Sequence, residues 1–316
     1  MSMAAKSNAL QGLTVFERGW LSSNNVLIHG AGGGATLVDT SHCLHAEQTV
    51  ALVQHALLHA EPQERLVRLL NTHLHSDHCG GNAALQREFG AELLIPPGLW
   101  HAVQRWDEQA LGYTPIGQRC DRFVAQGRFT AGESLLLGGR RWEVLVAPGH
   151  DPHSVILFDA HEGVLISADA LWQNGYGIVF PELAGEPGFD DVRSVLDLIA
   201  TLPVRCVIPG HGAPFTDCEA ALRRAGSLLA KQRADPRHHA RHASKVLIKY
   251  HLMEERRQSW AELNAWVSAR PAFARVFDEQ ERARGSSMQD WCETLVHELV
   301  ARGVLAVREG VVLDLH

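Results

Sequence analysis

One short segment of the chain concentrates side chains that bind metal ions. His73, His75, Asp77 and His78 place three imidazoles and a carboxylate within six residues, directly after the apolar run Leu66–Leu70. Imidazole and carboxylate together are the ligands of zinc, iron, manganese or cobalt, and the lack of nearby paired cysteines argues against a closed structural zinc site. The segment therefore predicts a metal site that is not merely structural.

The spacing within this segment suggests two adjacent ions. In an extended or turning chain, residues two apart point the same way and the next pair points elsewhere. His73 and His75 can then bind one ion while Asp77 and His78 face a second. The alternative interpretation is chance clustering, because 19 histidines are scattered over 316 residues.

Three further segments repeat the pattern of a strand-like apolar run that ends in a potential ligand. The three ligands are His150, Asp169 and His211, which follow residues 142–147, 163–167 and 205–208. Taken singly, each histidine would be a surface-loop residue and the aspartate a turn or helix cap. Strand ends are, however, where α/β sheets carry their sites. The shared placement predicts that all three join residues 73–78.

This order of ligands resembles the pattern of the metallo-β-lactamase superfamily, which is His-x-His-x-Asp-His, a distant His, a bridging Asp and a final His. The chain matches every part of the pattern, over roughly residues 12–230. The residues carried over by position are His73, His75 and His150 for the first metal, and Asp77, His78 and His211 for the second. By the same resemblance, Asp169 would bridge both ions, and Asp39 would support the ligands through hydrogen bonds.

The resemblance implies a dinuclear metal-dependent hydrolase. Two divalent ions about 3.5–4 Å apart lower the pKa of a shared water and leave a bridging hydroxide as the nucleophile. Asp77 could both bind the second ion and accept a proton during the attack. Zinc is the default metal, although iron and manganese accept the same donors.

The bridging aspartate narrows the activities that the resemblance implies. True β-lactamases share the histidine motif but lack the equivalent of Asp169, so antibiotic hydrolysis is not the first expectation. Thioesterases of the glyoxalase II kind, lactonases, phosphodiesterases and nucleases share the full ligand set. Trp172, Tyr176 and Phe180 follow Asp169 and would line an apolar cleft beside the metals, unless they belong to the ordinary core. Such a cleft favours a small ester, thioester or lactone over a polyanion.

Strands and helices in two interleaved runs must position these residues. Strand-like runs lie near residues 13–17, 24–29 and 35–39, and the glycine-rich residues 30–34 suit a hairpin turn rather than a phosphate loop. Helical patterns cover residues 45–59, 82–89, 189–201 and 218–233. This order predicts an α/β fold with two sheets packed face to face and helices outside. It matches the four-layer αββα sandwich of the superfamily.

The pattern changes after about residue 235, where strand signals vanish. We expect a catalytic domain over residues 1–235 and a small, mostly helical domain over residues 236–316. The helical candidates are residues 240–255, a helix opened by a capping box of Ser259 and Glu262, and residues 287–302. The sequence of residues 304–313 then predicts a β-hairpin. Three helices and a hairpin resemble a winged helix, and the arrangement is similar to the C-terminal module of the β-lactamase-like-protein-2 branch.

The charge balance tests a nucleic-acid alternative, because some members of this branch are nucleases. Residues 236–316 hold 12 Lys and Arg against 11 Asp and Glu, which is no strong phosphate-binding footprint. The stretch 231–257 is locally basic and includes Lys245 and Lys249. A solvated helical face is the favoured interpretation of this stretch, with the module acting as a lid, a dimer contact or a wall of the substrate pocket.

Composition and the ends of the chain suggest a cellular setting. No apolar stretch approaches the roughly 20 residues that span a bilayer, and residues 1–6 lack the hydrophobic core of a secretion signal. We therefore expect a soluble, cytoplasmic protein that acts on a small molecule and has no membrane partner. The six cysteines show no framework spacing, so disulfides are not expected. Exposed aromatics such as Trp260 and Trp266 would favour a homodimer.

Overall fold

A computed structural model describes residues 9–30, 34–130, 132–282 and 285–315. The predicted turn over residues 30–34 falls partly outside the described residues, and the N-terminal residues 1–6 fall wholly outside them. Within the described residues, the strands are β1 (Leu13–Phe16), β2 (Asn25–Ile28), β3 (Ala35–Val38), β4 (Leu66–Leu70), β5 (Glu92–Ile95), β6 (Gly127–Arg128), β7 (Ser134–Leu137), β8 (Arg140–Val146), β9 (Val155–Asp159), β10 (Val164–Ala168), β11 (Cys206–Pro209), β12 (Arg257–Ser259), β13 (Leu305–Arg308) and β14 (Val311–Asp314).

The predicted helices are confirmed to within a few residues, and five further helices among the described residues were not predicted. They are α1 (Ala46–Leu58), α2 (Ser76–Cys79), α3 (Asn82–Phe89), α4 (Trp100–Arg105), α5 (Tyr113–Ile116), α6 (Phe180–Ala184), α7 (Phe189–Thr201), α8 (Cys218–Ala234), α9 (Pro236–Glu255), α10 (Trp260–Ser268), α11 (Pro271–Gln280) and α12 (Met288–Ala301), with short 3-10 turns at Cys43–His45 and Pro97–Leu99. Among the described residues, no helix combines the length and the hydrophobicity that a membrane span requires.

Two sheets form the larger part of the molecule. The first has the order β1-β2-β3-β4-β5-β6 and the second has the order β11-β10-β9-β8-β7. Strands β3 to β6 pair in parallel, as do β10 and β11, while the other neighbours are antiparallel. Parallel neighbours end at the same edge, so the residues that follow β3 and β4 in the first sheet, or β10 and β11 in the second, become neighbours in space.

Alternation along the strands explains why the sheets stack. Leu27 and Leu37 point outward into a cluster with the helices of the first sheet, whereas Val26 and Val38 point inward. The inward side chains share one buried cluster with residues of the second sheet, including the fully buried Trp142. The outer face of the second sheet packs against α7 and α8. Each sheet therefore buries both faces, and the layers run helix, sheet, sheet, helix.

The C-terminal part builds a separate apolar cluster from α9 to α12 and the sheet β12-β14-β13. The capping box of Ser259 and Glu262 is confirmed, and the hairpin turns at Glu309 and Gly310, both with positive φ. Helix α11 and strand β12 are additions to the predicted three helices and hairpin. The winged-helix interpretation and the domain boundary at residue 235 stay predictions.

Candidate metal centre

The structure brings the seven predicted ligands to one edge of the sandwich. Four follow β4 and three follow β8, β10 and β11: His73, His75, Asp77 and His78, then His150, Asp169 and His211. None of them is more than 7% exposed. Their ligand atoms fall into two groups, His73 with His75 and His150, and Asp77 with His78, Asp169 and His211, and the atoms of each group lie within 4.8 Å of one another.

The short helix α2 explains why one segment serves both groups. His75 is extended, with φ −67° and ψ 149°, and immediately precedes the first residue of α2. His73 and His75 therefore leave an extended chain, while Asp77 and His78 leave the first helical turn in another direction. The change from extended to helical backbone at one residue separates the two pairs.

In the first group, hydrogen bonds outside the site fix which ring nitrogen faces inward. His150 Nδ1 donates to the carbonyl oxygen of Ile178 at 2.6 Å, so its Nε2 keeps a lone pair, which faces His75 Nδ1 at 2.8 Å. His73 Nδ1 contacts Thr72 Oγ1 at 3.1 Å, and its buried Nε2 has no hydrogen-bond partner among the described residues. Inward nitrogens held in this way fit a metal ion.

The second group collects carboxylates around two imidazoles. His211 Nε2 lies 3.1 Å from Asp77 Oδ2, and His78 Nε2 lies 3.7 Å from the same oxygen. Burial alone would lower the pKa of His78, but Asp169, Asp39 and Asp77 raise it well above its ordinary value. Three buried carboxylates around one imidazole favour positive charge at this place, and a divalent ion would supply it.

Asp169 lies between the two groups. Its Oδ2 is 3.4 Å from His150 Nε2, and its Oδ1 is 3.4 Å from His78 Nε2. Gly210 makes this position possible, because a Cβ there would lie 2.1 Å from Asp169 Oδ1. One carboxylate that faces a histidine of each group has the placement expected of a bridge.

Burial also sets the protonation of the first group. The pKa of His73 is lowered well below its ordinary value, and the pKa of His75 is lowered to about 4, in both cases first by burial and then by neighbouring imidazoles. Neutral imidazole is the form that binds metals. The donor types, the inward lone pairs and the unpartnered nitrogens all fit two divalent ions.

Asp39 supports the ligands through three hydrogen bonds. It accepts from the Thr72 backbone N–H and from Thr72 Oγ1, each at 2.8 Å, and its Oδ2 lies 2.7 Å from His78 Nδ1. Since His78 Nδ1 donates to this carboxylate, His78 Nε2 is the nitrogen left to bind an ion. The resemblance assigned the same supporting role to Asp39.

We expect Asp39→Asn to lower metal affinity by about 10-fold to 100-fold. The introduced amide would still accept a bond from Thr72, but its NH2 group cannot accept the proton of His78 Nδ1. Asparagine tolerates the positive φ of 58° at this position, so backbone strain does not confuse the result. Competition titration with a chelator measures the affinity, and an unchanged metal affinity would contradict the supporting role.

Of the three aromatic residues predicted to line a pocket, two lie beside the site and one lies in the core. Trp172 Nε1 donates to Asp169 Oδ1 at 3.1 Å, and the Phe180 ring lies 4.6 Å from that of His75. Tyr176 is buried in the cluster behind the second sheet, where its hydroxyl donates to Gln232 Oε1 at 2.6 Å. Trp172 and Phe180 thus flank the two groups, and Tyr176 packs as a core residue.

Trp20 is a neighbour of the site that sequence reasoning missed. Its ring stacks on that of His211 at 5.3 Å and meets the edge of Trp172 at 5.7 Å, and the residue is 63% exposed. It lies on the irregular segment between β1 and β2, where no motif singles it out. The only signal in the sequence was a large aromatic residue in a loop.

The basic stretch 231–257 is largely engaged in internal ion pairs. Lys245 Nζ donates to Glu298 Oε2 at 2.6 Å and is 7% exposed as a residue. Lys249 pairs with Asp314 and also donates to the carbonyl oxygen of Val304 at 3.0 Å. Lysines held in this way are poorly placed to bind phosphates. Trp260 and Trp266, expected to be exposed, are half-buried in the terminal cluster.

Relatives share both the sequence and the fold. The model of the metallo-beta-lactamase superfamily matches residues 18–211. A hydroxyacylglutathione hydrolase of Xanthomonas axonopodis pv. citri is 31% identical, over 65% of this chain and 73% of its own length. A hydroxyacylglutathione hydrolase of Rhizobium etli is 26% identical, over 50% of this chain and 53% of its own length. The chain thus spans about half the length of some of the curated relatives that it matches.

Solved structures show the same architecture. A metallo-beta-lactamase family protein from Thermus thermophilus aligns over 97% of this chain and 99% of its own, with a TM-score of 0.57 and 20% identity. The B3 metallo-beta-lactamase BLEG-1 aligns over 68% of this chain and 99% of its own, with a TM-score of 0.54 and 24% identity. At these identities the likeness shows the fold alone. Because the superfamily pattern covers more than half of the sequence, this chain belongs to the metallo-β-lactamase superfamily.

Proposed function

We propose that the protein is a dinuclear metal-dependent hydrolase that cleaves a small thioester, with small esters and lactones as related substrates. The observation that carries the proposal is the pair of buried ligand groups with Asp169 between them. Zinc is the proposed metal, because imidazole and carboxylate donors suit it. True β-lactamase activity is not proposed, because the resemblance associates a bridging aspartate with the other activities of the superfamily.

Each ligand has a defined part in the proposed reaction. His73, His75 and His150 would hold one ion, and Asp77, His78 and His211 the other, with Asp169 shared. Two such ions, when bound, supply a hydroxide nucleophile at neutral pH and stabilise the negative charge that develops on the substrate. Asp77 Oδ2 faces His211, so Asp77 Oδ1 is the atom left to accept a proton from the attacking water.

The choice of a thioester rests on the relatives and on the aromatic rim. Several relatives are named hydroxyacylglutathione hydrolase, and an acyl group on the sulfur of glutathione forms a thioester. Trp20, Trp172 and Phe180 present aromatic surface around the ligand groups. This surface suits an uncharged acyl group better than a polyanion.

The terminal part of the chain is proposed to be a second domain that closes one side of the pocket. Tyr250 of α9 makes a 2.9 Å hydrogen bond with Ser76, the residue between His75 and Asp77. Phe180 packs against the terminal cluster and also contacts His75. These contacts favour a pocket wall over a nucleic-acid surface.

Trp20→Ala is expected to raise KM for an acyl thioester by roughly threefold to tenfold and to leave kcat nearly unchanged. The loss corresponds to the ~0.5–1.5 kcal/mol of an aromatic contact that binds the substrate but not the reacting bond. Leu58, which is also 63% exposed but lies at the end of α1, provides the control Leu58→Ala. Steady-state kinetics distinguish the two, and equal KM values in both variants would remove Trp20 from the pocket.

The proposal is tested with zinc-loaded protein and a panel of an acyl thioester, a matched oxygen ester, a lactone and a phosphodiester. The expected result is the highest kcat/KM on the thioester, with weaker turnover of the oxygen ester and lactone. Turnover of the phosphodiester alone would replace the proposal with a nuclease or phosphodiesterase function. Absence of any turnover in the zinc, iron and manganese forms would reject a hydrolase.

A further inference from the structure

A second group of potential ligands lines a cavity between the terminal helices and the segment 108–119. The cavity has a volume of about 230 Å³. Its wall includes His251, Glu254 and Glu255, each of which offers one ligand atom, and these atoms lie within 4.8 Å of one another. Spacings of three and four residues on α9 place all three side chains on one face of the helix. The arrangement is separate from the seven ligands described above.

The imidazole of His251 is fixed with one nitrogen free. Its Nε2 donates to Gln258 Oε1 at 3.1 Å, which leaves the lone pair on Nδ1. Nδ1 is buried and has no hydrogen-bond partner among the described residues. The ring also stacks on Trp266, with 3.9 Å between centroids and 6° between planes. The contacts with Gln258 and Trp266 therefore fix the orientation of the His251 ring, although Nδ1 has no partner.

Glu254 presents a second unpartnered acceptor. Its Oε1 accepts a bond from His42 Nε2 at 3.0 Å, and both side chains are fully buried. Its Oε2 is buried without a hydrogen-bond partner in the described part of the chain. A buried carboxylate oxygen without a partner is costly, and Glu254 and His251 each offer one ligand atom within 4.8 Å of the other. A cation would satisfy the two unpartnered acceptors, His251 Nδ1 and Glu254 Oε2, together.

The charged groups around the cavity are close to balanced. Glu108, Glu254 and Glu255 supply three carboxylates, against the guanidinium groups of Arg119 and Arg270 and the imidazole of His42. Burial lowers the pKa of His42, but hydrogen bonds with Cys43 and Glu254 raise it to about 9. Arg119 Nη1 donates to Glu255 Oε1 at 2.9 Å, and Arg270 lies over the Trp266 ring at 5.6 Å. Arg119 is thus paired with Glu255, while Arg270 contacts the Trp266 ring. Arg270 Nε has no hydrogen-bond partner among the described residues, and the same holds for His251 Nδ1 and Glu254 Oε2.

We propose that His251, Glu254 and Glu255 bind one divalent transition-metal ion, of the zinc class, in this cavity. One imidazole nitrogen and two carboxylates are donors that zinc and manganese accept, with water completing the coordination. Through Glu254 and His42, the ion is connected to the loop that begins at Asp39. The site stabilises the contact between α9 and the sheets and takes no part in the hydrolytic step.

The test counts zinc in protein that is saturated with Zn²⁺ and then freed of unbound metal. Wild type should retain one more equivalent of zinc per chain than either Glu254→Gln or Glu255→Gln. In Glu254→Gln, the amide oxygen can still accept the hydrogen bond from His42. Glu108→Gln is the matched control, because it removes a charge from the same wall but no proposed ligand. This control should retain the wild-type zinc content, and all of these variants should keep the wild-type kcat.

Thermal unfolding provides a second readout. Zinc should raise the Tm of wild type by more than it raises the Tm of Glu254→Gln, since binding to the folded state alone adds stability. Equal zinc content in wild type and Glu254→Gln would overturn the proposal and indicate that water fills the cavity. If the proposed dinuclear site failed to bind zinc, the zinc content of wild type and of every variant would fall equally. The difference between wild type and Glu254→Gln therefore tests the cavity site separately from the proposed function.

Discussion

Replacing Asp169 by alanine is expected to lower kcat/KM by about 10³-fold or more, which corresponds to roughly 4 kcal/mol of transition-state stabilisation. The cause is that Asp169 faces His150 with one oxygen and His78 with the other, so its removal affects both ligand groups at once. His75→Ala should have a comparable effect, although it removes a ligand from only one group. Kinetics on the best substrate of the panel, together with metal content, measure the change.

A matched aspartate controls for the general effect of losing a carboxylate. The Asp190 side chain is 78% exposed and forms a surface pair with Arg233, which contributes little to stability. Asp190→Ala should therefore retain full activity and metal content. Circular dichroism establishes that both variants are folded. If Asp169→Ala kept two ions and near-normal turnover, Asp169 would have no bridging role.

Removing the metal ions should abolish hydrolysis while the sandwich persists. His73 Nε2 and His78 Nε2 are buried without hydrogen-bond partners among the described residues, and three carboxylates surround His78, so the site is suited to bound cations. We expect activity below about 1% of the starting value after exhaustive chelation, which is a loss of at least ~2.7 kcal/mol in transition-state stabilisation.

Adding metal ions back to the chelated protein distinguishes zinc from magnesium. Zn²⁺ should return activity in proportion to the ions bound, whereas Mg²⁺ should not, because it prefers oxygen donors in octahedral geometry. The Tm should fall on chelation and rise again with Zn²⁺, since ions that bind only the folded state stabilise it. Full turnover by metal-free protein would reject the proposed mechanism.

The clustering of the proposed ligands was predictable because the signal was chemical and local. Three histidines and an aspartate on one short segment, and three more ligands at the ends of apolar runs, depend on residue type and spacing alone. The two-sheet arrangement was predicted from two runs of strands interleaved with helices, and the inward Val38 and outward Leu37 of β3 show how the sheets then stack. Asp39 was found through the resemblance, and its three hydrogen bonds give the physical reason for that position.

Other features could not be predicted because they depend on tertiary contacts. Ala168 has a positive φ of 45° directly before Asp169, a conformation that alanine disfavours and that the surrounding sheet must impose. Lys245 looked solvated in the sequence but is paired with Glu298 of another helix. Tyr176 follows Asp169 closely in sequence, which left a pocket wall and the ordinary core as alternatives, and its burial in the cluster behind the second sheet favours the core. Trp20 reaches the site only because β1 and β2 carry its loop there.

The division of ligands between the two sheets has a consequence for how the molecule comes apart. Each ligand group takes two residues from the loop after β4 and the rest from the opposite sheet. A polypeptide fragment that ends before β7, or one that begins there, carries neither complete set. Either half alone should be unable to retain the ions, and mixing the halves should restore retention only if they dock. Ion capture would therefore report fragment complementation.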